Sequence, residues 1–123
     1  FRGGNTVPAA VAVTSTELVS ALADDPGLEP EDRLILKMYY FDELKLKEIA
    51  RTFGYHEATA SRKLTRIQAE IRKQVEKGLQ ERHGWTEKEV RNHLSETAAS
   101  LGINLETMFA VLTLAALMQD FWI

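Results

Sequence analysis

The chain has 123 residues, enough for one domain with a core of its own. It contains no cysteine, which excludes a disulfide framework and a thiolate metal site and fits a reducing cytoplasm. The net charge of −3 hides a division: residues 1–43 carry −5, residues 44–83 carry +5 and residues 84–123 carry −3, so only the middle is built to meet phosphate. No apolar run reaches the roughly 20 residues of a membrane span, and no membrane partner is expected. VPAAVAV after Arg2 is only faintly like the apolar core of a signal peptide. The first residue is Phe rather than Met, so a fragment or a processed chain is expected.

Residues 1–13 hold two glycines, a proline and small apolar residues and read as a flexible linker. Thr14 and Glu17 offer a capping box for a first helix running to about Ala23, with Leu18 and Leu22 on one face. Asp24-Asp25-Pro26-Gly27 is a turn. Pro30 suits the first turn of the next helix, and Glu31 and Asp32 suit its positive end. Leu34, Ile35, Met38 and Tyr39 are its expected buried face, closed by Phe41.

A short helix over about Leu46 to Phe53 follows, with Ile49, Ala50 and Phe53 toward the core. Gly54 can take the left-handed conformation that ends a helix, Tyr55 follows as an apolar plug, and His56-Glu57-Ala58-Thr59 opens a long helix. Ala60, Leu64, Ile67 and Ile71 lie on one face of that helix, continued by Val75 and Leu79. The opposite face carries Ala58, Arg62, Thr65, Arg66, Ala69 and Lys73. A basic helix face is ordinarily just a solvated one. Here it coincides with a short helix and a glycine turn at the spacing of a helix-turn-helix, whose second helix enters the major groove. His83-Gly84 ends the long helix. Thr86 and Glu89 form a second capping box for a helix with Val90, Leu94 and Ala98 on one side. Leu101-Gly102 closes it, and Asn104 can cap a last helix from Leu105 to about Met118, ending in Phe121-Trp122-Ile123.

The run EIARTFGYHEATASRKLTRIQAEIRK resembles the second half of region four of bacterial RNA polymerase sigma factors, nearest to the extracytoplasmic-function (ECF) type. The likeness extends upstream through LEPEDRLILKMYYFDE and downstream through QERHGWTEKEVRNHL. Response-regulator output domains share part of the pattern. Three positions depart from the family: Glu43 stands where glycine is common, Lys45 where a serine or threonine cap is common, and Ala60 where valine is common. In the family the first residues are the joint between the region-two domain and region four.

The expected fold is therefore all-α: a linker over 1–13, a three- or four-helix region-four-like helix-turn-helix domain over 14–82, and a helical extension over 83–123. The resemblance implies promoter recognition, with reading of the upstream ("minus thirty-five") element, docking on the flap of the polymerase β subunit through the helix from Pro30 to Phe41, and an anti-sigma factor as a further partner. Arg62 and Arg66 are the expected base contacts, because arginine forks onto guanine O6 and N7, with Glu57, Ala58 and Thr65 beside them. Glu57 accepts from cytosine N4 or simply favours the helix dipole. Lys45, Lys47, Thr59, Ser61 and Lys63 are the expected phosphate contacts. The last helix is apolar nearly all round, which asks for burial. Met108, Phe109, Leu112, Phe121 and Trp122 are its expected interaction surface, with self-association as the expected outcome. Two alternatives remain at this point: a response-regulator-type activator domain, and an interaction module that binds no DNA.

No catalytic constellation emerges. His56, His83 and His93 are not at metal-ligand spacing. Ser15, Ser20, Ser61, Ser95 and Ser100 lack a defensible His and Asp partnership. Glu29, Glu31 and Asp32 have a helix-start explanation. No cofactor, metal or enzymatic activity is expected.

Overall fold

A computed structural model describes residues 9–122, and side chains as far as Met118. Among the described residues the elements are all helical: α1 (Ala9–Asp24), α2 (Pro30–Leu36) running into a π-helical turn (Lys37–Phe41), α3 (Leu46–Phe53), α4 (Glu57–His83), α5 (Glu87–Ser100) and α6 (Leu105–Trp122). The all-α expectation holds.

α4 is the axis of the molecule. Its stripe Ala60, Leu64, Ile67, Ile71, Val75 and Leu79 is buried along the whole length. α2 and α3 pack on its first half, α1 and α5 on its second. α6 closes the core against α1, α5 and the π turn. The core runs unbroken through all six helices, from Leu18 through Ile35, Ile49 and Ile67 to Leu94 and Met108.

Three local expectations fail. The linker expected to reach residue 13 is helix from Ala9 onward, and residues 1–8 lie outside the described ones. The capping box at Thr14 falls with it. Thr14 is a fully buried mid-helix residue whose hydroxyl donates to the Ala10 carbonyl at 2.9 Å. Glu17 is buried too, and its carboxylate accepts from Arg82 Nε on α4 at 2.8 Å. Gly78 makes room for this pair, since a Cβ there would collide with the Glu17 carboxylate. The reason is tertiary: α1 needs its Val11 in the core, so the helix starts before the local cap signal.

The helix after Pro30 does not continue regularly to Phe41. The Asp42 amide donates to the Lys37 carbonyl at 3.0 Å, a five-residue step that widens the last turn. Ile35, Leu36 and Met38 go inside, whereas Leu34 is 45% exposed and Phe41 also faces out, with Lys37 Nζ 5.9 Å from its ring centre. The expected burial of Leu34 and closure by Phe41 are thus corrected. Arg33 fixes the loop before this helix by donating to the carbonyls of Leu22 at 2.7 Å and Leu28 at 2.6 Å.

The C-terminal half follows its local signals. The Thr86 hydroxyl accepts from the Glu89 amide at 3.2 Å, and the Glu89 carboxylate accepts from the Thr86 amide at 2.8 Å. Val90, Leu94 and Ala98 are buried. Asn104 caps α6 by accepting from the Thr107 amide at 2.7 Å. No single helix among the described residues is long and apolar enough to cross a membrane.

Candidate nucleic-acid interface

Gly54 sets the angle between α3 and α4. At φ 78° it is left-handed, which costs a glycine little, and it lets the Tyr55 amide reach back to the Ala50 carbonyl at 2.8 Å. Ala50 is buried where the two helices cross closely. α3 starts without a side-chain cap at Lys45; instead the Glu48 carboxylate accepts from the Lys45 amide at 3.1 Å. Half a capping box therefore stands in for the absent serine or threonine.

Tyr55 does more than plug the turn. Its ring stacks on Phe53 with centroids 5.8 Å apart, and its hydroxyl donates to both oxygens of Glu31 at 2.8 and 2.9 Å. That carboxylate holds the Tyr55 phenol above its ordinary pKa. Lys63 Nζ sits 5.0 Å from the Tyr55 ring centre and 3.7 Å from Glu31. Beside this group, Arg66 Nη2 bonds Asp32 Oδ1 at 2.7 Å. Asp32 is only 2% exposed and also accepts from the Glu29 amide at 3.0 Å, so it caps α2 and anchors Arg66 together. The acidic start of α2 is in this way clamped to the first turns of α4.

Of the residues singled out from sequence, Glu57, Ala58, Arg62, Thr65, Lys45, Lys47 and Ser61 are exposed and Thr59 is half-buried. The Arg62 guanidinium rests on Thr59 Oγ1 at 3.2 Å, an exposed contact that leaves it able to turn outward. The Thr65 hydroxyl donates to the Ser61 carbonyl at 3.0 Å. Lys63 and Arg66 are engaged with Glu31 and Asp32. Both pairings join residues more than thirty positions apart and so were invisible to local sequence signals, which explained Glu31 and Asp32 as helix-start residues alone.

The expected interaction surface on α6 divides. Met108 and Leu112 are inside the chain's own core, so they are corrected to core residues. Phe109 is half-buried, with Arg72 5.7 Å from its ring centre. The side chains of Phe121 and Trp122 lie outside the described residues. Among the described residues of α6, the exposed large apolar side chains are Val111 and Met118. Of the histidines, His83 and His93 flank the Trp85 ring at 4.6 and 4.8 Å, and His93 Nε2 meets Thr14 Oγ1 at 2.9 Å. Burial lowers the His93 pKa. No group of three or more metal-ligating side chains exists among the described residues.

A short helix, a left-handed glycine turn and a second helix with one buried and one uncovered small-and-basic face define the helix-turn-helix class of DNA-binding domain. Residues 26–69 match the family model described as Sigma-70, region 4, in keeping with region four of a sigma factor. The match implies DNA-binding promoter recognition at the level of the sigma-factor family. It covers α2, the π turn, α3 and the first half of α4, and it stops short of the downstream likeness that the sequence suggested. Comparison with curated proteins and with solved structures found no match.

Proposed function

We propose that the chain reads the upstream promoter element of a bacterial promoter, as an ECF-type region four, with the first half of α4 in the major groove. The observation that carries this reading is the uncovered face of α4 around Arg62, opposite a face buried to the last residue. Arg62, with Glu57, Ala58 and Thr65, meets base edges. Lys45, Lys47, Thr59 and Ser61 meet phosphates and set register. Arg66 and Lys63 join them on leaving Asp32 and Glu31, exchanging a carboxylate for a base edge or a phosphate. α2 faces the β flap of polymerase, with exposed Leu34 as an apolar centre beside its acidic start. An anti-sigma factor would compete for the same surfaces. The site of action is the nucleoid in the cytoplasm.

The test is duplex selection from a random pool followed by titration. Arg62→Ala should cost about 1–3 kcal/mol on the selected duplex and flatten base preference, and Lys47→Ala should weaken selected and random duplexes alike. Equal losses on both duplexes for Arg62→Ala would remove it from base reading. Failure of the chain to bind any duplex at low salt would favour an interaction module instead.

A further inference from the structure

α4 is longer than a groove-reading helix needs to be. The family match ends at Ala69, yet the helix runs on to His83 without a break. At about 100° per residue, Lys73 and Lys77 lie about 20° and 60° around the axis from Arg62, on the same outward face. Both are exposed. At about 1.5 Å per residue they stand about 16 and 22 Å along the helix from Arg62. The major groove is about 12 Å wide, so a helix seated with Arg62 on base edges carries these lysines out over the phosphate wall.

Two of the carboxylates nearby are committed elsewhere. Glu76 pairs with Arg72 at 3.6 Å, and Glu17 with Arg82 at 2.8 Å. The Glu70 carboxyl is held below its ordinary range first by a hydrogen bond from Asp25, then with help from Gln74 and Lys73. Lys77 borders a shallow groove with Asp24 and Glu81, and on the other side Arg91 of α5 adds a cation beside Glu87. Neither Lys73 nor Lys77 closes a salt bridge among the described residues, and although Lys73 acts on Glu70, both ammonium groups are exposed to an anion from outside.

We infer that Lys73 and Lys77 form a second DNA contact, gripping the phosphate backbone that flanks the segment read by the first half of α4. This rests on the groove-reading proposal and extends its footprint beyond the matched family segment. The partner is duplex DNA outside the recognised element, contacted without base preference.

The 123-residue chain and its Lys73→Gln/Lys77→Gln variant are titrated against one selected duplex, both with ten added flanking base pairs at each end and with none, across a salt series. Loss of two phosphate contacts should make the log–log salt slope shallower by about 1.8 on the long duplex, at about 0.9 per contact, with base preference unchanged. Removing the flanks should bring wild type and variant together. Circular dichroism should show α4 intact in both. An unchanged slope for the variant, while Arg62→Ala still loses base preference, would overturn the second contact and leave groove reading standing. Absence of any duplex binding by wild type would overturn both.

Discussion

Glu43 shows how much a single departure from a family pattern can mean. It is the one non-glycine described residue with a clearly positive φ, 54°, and it sits where the family commonly has glycine. The backbone there must turn left-handed so that the Leu44 amide reaches the Met38 carbonyl at 2.9 Å and α3 can begin. A Cβ makes that conformation costly, by about 1–2 kcal/mol. Glu43→Gly removes the clash but gives the unfolded chain more freedom. The expected net gain is about 1 kcal/mol, read as a higher midpoint in urea unfolding. A lower midpoint would show that the Glu43 side chain makes a compensating contact. The sequence made the odd residue visible; the sign of φ is what gives it a physical meaning. Arg66 is the opposite case. Its place on the basic face was legible, but its bond to a nearly buried carboxylate thirty-four positions away was not.

At the scale of elements, helices whose ends carry their own caps were readable, and α5 and α6 begin where Thr86 and Asn104 place them. α1 was not, because tertiary burial of Val11 and Thr14 overrides a cap signal that is satisfactory in isolation. The same seam between α1 and α5 makes a pH prediction. His93 is held neutral by burial first and by the nearby His83 second, with Glu96 opposing, while Thr14 bonds its Nε2. Its folded pKa is below the unfolded value, so the unfolded chain takes up the proton first as pH falls. Stability from this site is therefore fully present above about pH 6.5, the ordinary histidine value, and is lost as pH falls from there to the lowered folded value. His93→Gln should flatten the dependence of melting temperature on pH over that range, relative to wild type. Parallel curves for the two proteins would show that His93 does not carry the dependence.

At the scale of the whole molecule, α6 turns a helix-turn-helix domain and its continuation into one core. A sequence apolar on nearly every side says that a helix must be covered, but not by what. Met108, Leu112, Ala116 and Leu117 are covered by the chain itself, which leaves a narrower outward stripe than the composition suggested. Val111 and Met118 are seven residues apart, about two turns, with Ala115 exposed between them. Val111 is 50% and Met118 40% exposed. The self-association expected from the sequence is testable on this stripe. Truncating α6 is a poor test, because it would empty the core of Met108 and Leu112 as well. Val111→Glu/Met118→Glu leaves the inner face whole and places like charges face to face in any pairing along the stripe. Light scattering should give a dimer for the wild-type chain at tens of micromolar and a monomer for the double variant, with melting temperatures within a few degrees once dissociation is allowed for. A wild-type chain that scatters as a monomer throughout that range would end that expectation and leave α6 with a purely internal role.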